Sequence, residues 1–308
     1  MTDRYAVFGN PIGHSKSPRI HALFAAQTGQ DMSYEAILVE KGNFAEAVDA
    51  FIAAGKGPAR GANVTVPFKE EAFRLAARRT PRAEAAGAVN TLSFDAGVVI
   101  GDNTDGAGLV RDLKNNLGCD PAGRRILLLG AGGAARGVIL PLLLENPAEL
   151  VIANRTEETA ARLALEFARL PGCAIGVKPD GIGFAGLAGR AFDLVINATS
   201  AGLSGAVLPL PTCVFAPRCV AYEMVYGRAT PFMNQAQAAG ARVADGLGML
   251  VEQAAEAFFV WRGVRPRTAQ VLAALREQEC GPRRAGSKWA SRQSRLCSCS
   301  GRAGTWAG

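Results

Sequence analysis

Apolar and polar positions change rhythm along the chain every ten residues or so, and each change marks an element. "YAVFG" reads as a buried strand. "SPRIHALFAAQTG" has helical spacing, with Ser17 placed as N-cap, Pro18 at the first helical position and Gly29 near the end. "MSYEAILVE" predicts a strand, and "NFAEAVDAFIAAG" a helix whose Phe44, Val48, Phe51 and Ile52 share one face. A strand at "ANVTV" is closed by Pro67, and an amphipathic helix bearing Lys69 follows. "AVNTLSF" and "VVIGDN" predict two more strands, so the alternation implies a mostly parallel sheet covered by helices.

A second alternating unit begins near Gly106. "RILLLGAGGAARGVILPLLLENPAELVIANR" reads as strand, glycine turn, helix and strand, while "FDLVINATSAG" and "CVAYEMVYG" supply later strands. The helical stretch from Leu247 to Phe259 can pack back towards the first unit. After about Glu279 the periodicity stops, and a mixture of Ser, Arg, Gly, Cys and Trp with no apolar face predicts a disordered tail over residues 281–308.

Composition narrows the class. A chain of 308 residues with 49% hydrophobic content can bury two ordinary cores, and 20% charged residues suit a turn-rich α/β protein. The apolar run Ile126 to Leu144 contains Gly130, Gly132, Gly133, Arg136 and Pro141, which fit a strand, turn and helix better than a bilayer span. "MTDRYAVFG" lacks the basic and apolar regions of a signal peptide, so a cytoplasmic protein with no membrane partner is expected. The net charge of +7 belongs mostly to the tail. Six of the 34 basic residues and no acidic one lie in 281–308, which leaves 28 basic against 27 acidic residues in 1–280. A nearly neutral body shows no footprint for nucleic acid. Seven scattered cysteines without a CxxC pair, and only two histidines, predict reduced thiols and no metal site.

Two stretches carry candidate chemistry. In "NVTVPFKEEAF", Lys69 falls in the first helical turn, where unpaired N–H groups and the macrodipole already make the surroundings positive. Glu70 and Glu71 suit that place; a lysine there calls for a carboxylate from elsewhere. Gly130-Ala131-Gly132-Gly133-Ala134-Ala135 matches G-x-G-x-x-G/A between an apolar strand and a helix, the setting in which backbone cradles a pyrophosphate. Glycines used only for tight packing are the alternative. At the end of the next strand, where an NAD site wants an acid, stand Asn154, Arg155 and Thr156. An arginine there can bond a 2′-phosphate, which favours NADP, or it is a surface arginine beside a Thr156 helix cap. Glu157 and Glu158 moderate the preference.

Together "YAVFGNPIGHSKSP", "GANVTVPFKEEAF", "GAVNT", "GDNTDG", "LLLGAGGAARG", "ANRT", "INATSAG" and "ADGLGMLVEQAAEAF" resemble the blocks of the shikimate dehydrogenase family, in that family's order, over about residues 4–279. The resemblance implies a two-domain α/β fold with a cleft. An N-terminal substrate domain over 1–105 would face a Rossmann-type NADP domain over 106–240, with helices over 241–280 returning to the first. It implies reversible NADPH-dependent reduction of 3-dehydroshikimate to shikimate, by a monomer or homodimer acting on a small molecule. Ser15 and Ser17 would bind the substrate carboxylate with Tyr226, and Asn63, Thr65, Asn90 and Gln253 would read the ring hydroxyls. Turn and strand-end hydrogen bonding is the alternative for these amides. Lys69 and Asp105 would form the proton-transfer unit at the reacting oxygen. Asn197 and Thr199 end a strand at the cofactor edge, and Met224 and Gly246 would flank the nicotinamide. Thr159 stands near the place of a second arginine common in the family, and Glu223 replaces a usual aspartate. A quinate/shikimate dehydrogenase with relaxed cofactor use, a catalytically silent ligand sensor on the same fold, and an RNA- or membrane-binding protein using the basic tail are the competing readings.

The tail has no apolar stripe to bury, so a chain ending at Glu279 is expected to keep its activity and melting temperature. Differential scanning calorimetry of both lengths checks this; a melting temperature several degrees lower in the shorter chain would mean that the tail packs on the body.

Overall fold

A computed structural model describes residues 1–55, 57–170 and 177–279; the expected tail and Cys173, Cys280, Cys297 and Cys299 lie outside them. Two six-stranded sheets organise the described residues. The first is built from β1 (Asp3–Gly9), β2 (Met32–Leu38), β3 (Ala59–Val64), β4 (Arg78–Arg79), β5 (Thr91–Asp95) and β6 (Val98–Asp102), in the order β2-β1-β3-β5-β6-β4. Between these strands run α1 (Ser17–Thr28), α2 (Phe44–Ala53), α3 (Lys69–Leu75) and α4 (Pro81–Ala86). Phe8, Phe44, Val48, Phe51 and Phe68 form the core beneath α2 and α3.

Helix α5 (Asp105–Arg111), continued by one π-helical turn over Asp112–Asn116, leads into the second sheet. Its elements are β7 (Arg125–Leu129), α6 (Gly133–Leu144), β8 (Glu149–Asn154), α7 (Glu157–Ala168), β9 (Asp180–Gly183), β10 (Phe192–Asn197), α8 (Ala201–Ser204), β11 (Phe215–Glu223), α9 (Pro231–Ala238) and β12 (Arg242–Asp245). All pairings are parallel, in the order β12-β11-β10-β7-β8-β9. That is the doubly wound arrangement, whose order reverses between β7 and β10. The uninterrupted "RILLL" of β7 follows from burial on both faces: Ile126 and Leu128 enter one core, Leu127 and Leu129 the other.

Helices α10 (Leu247–Arg262) and α11 (Thr268–Glu279) pack against α1 beside the first sheet. Leu247, Val251 and Phe258 of α10 pack with Ile20 and Phe24 of α1, and Trp261 donates to the Leu92 carbonyl at 2.9 Å. Among the described residues no helix is long and apolar enough to cross a membrane.

Three of the five pairings in the first sheet are parallel, in keeping with a mostly parallel sheet, and β5 runs antiparallel to both β3 and β6. Ala96 and Gly97, with φ of 48° and 80°, make a two-residue turn between β5 and β6, and so short a link permits only a hairpin. Two local expectations are corrected. Ser17 is the first residue of α1 and not its N-cap; Lys16 is already helical in conformation and holds the cap position. Ile52 is 39% exposed, since Phe44, Val48 and Phe51 fill the buried stripe and Ile52 lies past its edge.

His21 of α1 is fully buried, stacked on Tyr34 with ring centroids 4.2 Å apart. Neither ring nitrogen has a hydrogen-bond partner among the described residues. Burial pushes its pKa down to about 3, an effect that nearby Asn63 only slightly opposes. Below the unfolded value near 6.5 the unfolded chain binds a proton that the folded chain refuses, so stability falls as the pH drops towards 3. Between pH 7 and pH 5 this one group is expected to remove on the order of 1–2 kcal/mol. Urea unfolding of the parent and His21→Phe at both pH values measures it; equal pH dependence in the two proteins would contradict the assignment.

Candidate active site

The two sheets point their strand ends at a common cleft. One cavity of about 1050 Å³ lies against the first sheet and another of about 510 Å³ against the second. Lys69, Met224, Tyr226 and Gln253 line both, so the two are continuous. At the junction Lys69 Nζ donates to Asp105 Oδ2 at 2.6 Å. Lys69 opens α3 and Asp105 opens α5. The carboxylate is thus the partner that an ammonium at a positive helix start requires, and Asp105 itself is favoured at the start of α5. Its side chain is only 6% exposed against 30% for that of Lys69.

The carboxylate is held on its other side too. Asn90 Nδ2 donates to Asp105 Oδ1 at 2.8 Å and to Gln253 Oε1 at 3.1 Å, while Asn90 Oδ1 accepts from the Thr104 backbone at 2.9 Å. Asn103 Oδ1 accepts the Asp105 N–H at 3.1 Å, which fixes the turn that launches α5. Asn63 is oriented in turn: it accepts from the Tyr34 hydroxyl at 2.7 Å and donates to the Asn90 carbonyl at 3.2 Å. Ser15, Ser17, Thr65 and Tyr226 also line the larger cavity, together with His14, Lys16 and Arg228, and Ser15 Oγ accepts the Ser17 N–H at 3.3 Å. Every residue expected to bind substrate therefore lines one cavity.

The smaller cavity is framed by the loop Gly130, Ala131, Gly132, Gly133 and Ala134, joined by Asn154, Thr199, Met224 and Gly246. Gly130 has φ of 103°, and a Cβ there would meet the Ala198 carbonyl at 3.2 Å, so this position requires glycine. A Cβ on Gly132 or Gly133 would meet nothing, and α6 begins there without a side-chain cap. An open, uncapped helix N-terminus at the reversal of strand order fits a dinucleotide pyrophosphate. Arg155 and Thr156 are exposed just beyond Asn154, and Arg155 makes no hydrogen bond or ion pair among the described residues. Thr156 holds the N-cap position of α7 without a side-chain cap bond. The Glu157 carboxylate lies against Gly183, where a Cβ would fall 2.9 Å from its Oε2.

Asn197 departs from expectation. It is fully buried and faces inward, accepting from the Thr199 hydroxyl at 2.7 Å and donating to Glu223 at 2.8 Å. It shapes the loop that carries Thr199 and does not line the cavity. Gly246, by contrast, does line the cavity, and a Cβ there would fall 2.1 Å from the Met224 carbonyl oxygen, so the position requires glycine. Glu223 stands out in the sequence only as an unusual residue. It accepts from Asn197, from the Thr230 hydroxyl at 2.8 Å and from the Val225 N–H at 3.1 Å; burial raises its pKa. Leu203, Val225 and Leu250 also line both cavities, and no sequence pattern distinguishes them from ordinary core residues.

Comparison with known proteins gives a consistent result. Residues 7–92 match the family profile described as shikimate dehydrogenase substrate binding domain, 112–202 that of shikimate / quinate 5-dehydrogenase, and 246–276 that of shikimate 5′-dehydrogenase C-terminal domain. A curated relative from Dechloromonas aromatica (strain RCB), named shikimate dehydrogenase (NADP(+)), is 63% identical over 279 residues, covering 90% of this chain and 98% of the relative. The crystal structure of an Ael1 enzyme from Pseudomonas putida aligns with a TM-score of 0.83 at 47% identity, covering 89% of this chain and 98% of its own. Shikimate 5-dehydrogenase from Thermus thermophilus, solved in complex with NADP(H) and shikimate, aligns with a TM-score of 0.76 at 33% identity, covering 90% and 99%.

Proposed function

The chain belongs to the shikimate dehydrogenase family, and from that premise we propose that it catalyses the reversible NADPH-dependent reduction of 3-dehydroshikimate to shikimate in aromatic amino-acid biosynthesis. The observation that carries the reading is the Lys69–Asp105 pair, 2.6 Å apart where the two cavities meet. A proton-transfer group must reach the substrate oxygen while the cofactor faces the adjoining carbon, and only the junction of a substrate cavity with a cofactor cavity offers both.

In this reading residues 1–105 bind substrate, 106–240 bind NADP, and the helices within 241–280 close the substrate side. Ser15, Ser17 and Tyr226 hold the carboxylate, and Asn63, Thr65, Asn90 and Gln253 orient the ring. Gly130 to Ala134 receive the pyrophosphate, Asn154, Arg155 and Thr156 the adenosine phosphate, and Thr199 and Met224 the nicotinamide end. When bound, NADPH supplies the hydride that reduces the carbonyl carbon. Lys69 stabilises the developing oxyanion and protonates it, with Asp105 keeping the ammonium aimed at that oxygen. Asn90 prevents the carboxylate from rotating away. In the oxidative direction the hydroxyl proton passes to Lys69, or to Asp105 through it. All of these residues come from one chain, so one chain is the catalytic unit, whether monomer or homodimer. In this reading the protein works in the cytoplasm without a membrane partner.

Following reduced-nicotinamide absorbance with shikimate and quinate, each against NADP and NAD, tests the function. Turnover of shikimate with NADP is expected, and its absence would overturn the reading. Lys69→Ala is expected to cut kcat by roughly 10²–10⁴-fold with a much smaller effect on substrate affinity. Asp105→Asn should cost a similar factor, and the double variant far less than the product of the two. Fully multiplicative losses would show that the two groups do not act as one.

Arg155→Ala is expected to raise the KM for NADP by about ten- to a hundredfold, the usual worth of charged hydrogen bonds, and to leave the KM for NAD nearly as it was. Steady-state kinetics with both cofactors decide; equal losses would remove Arg155 from the phosphate site.

A further inference from the structure

Behind the cavity wall, Arg82 of α4 joins two segments of the site that are far apart in sequence. Its Nε and Nη2 grip Asp102, at 2.6 Å to Oδ1 and 2.5 Å to Oδ2, and its Nη1 reaches Glu256 Oε1 at 3.0 Å. Asp102 ends β6 and Glu256 lies in the middle of α10. Arg82 lines neither cavity, so it touches neither substrate nor cofactor in the functional reading.

Each grip leads to a polar residue of the site. Asp102 Oδ1 also accepts the Asn103 N–H at 2.7 Å, and Asn103 Oδ1 holds the Asp105 N–H at 3.1 Å. The Asp102 carbonyl accepts the Asn90 N–H at 3.0 Å. One carboxylate-bearing residue therefore anchors both the turn that launches Asp105 and the strand start that carries Asn90. On the other arm, Glu256 lies one helical turn beyond Gln253, whose Oε1 accepts from Asn90 at 3.1 Å. Arg111, at the end of α5, approaches Glu256 at 3.3 Å, and Arg265 at 2.8 Å.

The chemistry of the fork matters. A guanidinium in bidentate contact fixes the plane and rotation of its carboxylate, which a point-charge ammonium does not. Burial alone would raise the Asp102 carboxyl; the bonds and charge of Arg82 outweigh it and hold the group below the ordinary carboxylate range.

We propose that Arg82 is a positioning residue that sets Asp105 and Gln253 relative to each other through Asp102 and Glu256, and so aligns proton transfer with ring binding. The proposal rests on the functional reading above. It places the consequence of losing the fork on turnover and substrate affinity, and not on the cofactor, whose glycine loop lies on the other sheet.

Arg82→Lys keeps the charge and loses the fork. In the full-length protein with shikimate and NADP, kcat is expected to fall at least about tenfold and the KM for shikimate to rise several-fold. The Kd for NADP, measured by calorimetry, should stay at the parental value. Glu256→Gln, which is isosteric and still an acceptor, should raise the KM for shikimate more than it lowers kcat; it decides by the same criteria if Arg82→Lys does not fold. Parental kcat and KM in either folded variant, whatever its melting temperature, would overturn the proposal. So would a loss of NADP affinity in proportion to the other losses, because that marks general loosening. A parent without shikimate–NADP turnover brings down the functional reading instead, whereas an active parent matched by its variants brings down this inference alone.

Discussion

The cleft is organised by one ion pair, and the pair is organised by where two helices begin. Lys69 is the first residue of α3 and Asp105 the first of α5. The macrodipole favours the aspartate and opposes the lysine, so the lysine is tolerable only while the carboxylate stays at 2.6 Å. Because the Asp105 side chain is only 6% exposed, water screens the interaction little, and removing Lys69 leaves the carboxylate poorly solvated. Pairing and chemistry are therefore the same requirement: the geometry that stabilises the two charges also aims an ammonium at the junction of the cavities.

That geometry depends on side chains that are missing. A Cβ on Gly106 would fall 2.3 Å from Pro141 and 2.6 Å from the Gly137 carbonyl, so α5 and α6 approach closely only because position 106 is glycine. Gly137 in turn faces Asp105, with 3.4 Å from its Cβ direction to Oδ2. On the opposite side of α5, a Cβ on Gly108 would fall 2.7 Å from the Gln253 backbone nitrogen. Helix α5, which begins with Asp105, is wedged between α6, which opens at the glycine loop, and α10, which carries Gln253. Close backbone contact thus brings the Lys69–Asp105 pair, the glycine loop and Gln253 together.

What the sequence made legible follows the reach of its signals. Period and punctuation are local, and they located both alternating units, the glycine turn and the lysine that needed a partner. They erred where a choice depended on surroundings that period does not encode: the exposure of Ile52 and the inward turn of Asn197. The expected site residues came from a resemblance over most of the chain, since amides such as Asn63 and Asn90 look like turn residues on their own. Arg82 had no signal at all. Its partner Glu256 is 174 positions away, and neither residue stands in a pattern that distinguishes it from a surface charge.

Two buried carboxylates support the two halves of the cleft in different ways. Asp102 is gripped by a guanidinium, which holds its charge against burial. Glu223 is met only by neutral donors, the Asn197 amide, the Thr230 hydroxyl and the Val225 N–H, and burial raises its pKa. All three of those groups donate to it, Asn197 and Thr230 to Oε2 and the Val225 N–H to Oε1. One carboxylate side chain thus joins the loop that carries Thr199 to the turn that carries Met224 and Val225, while the turn launching Asp105 is fixed by a formal ion pair. The formal ion pair stands behind the Lys69–Asp105 contact at the junction of the cavities, whereas the neutral donors around Glu223 brace the segments that line the smaller cavity.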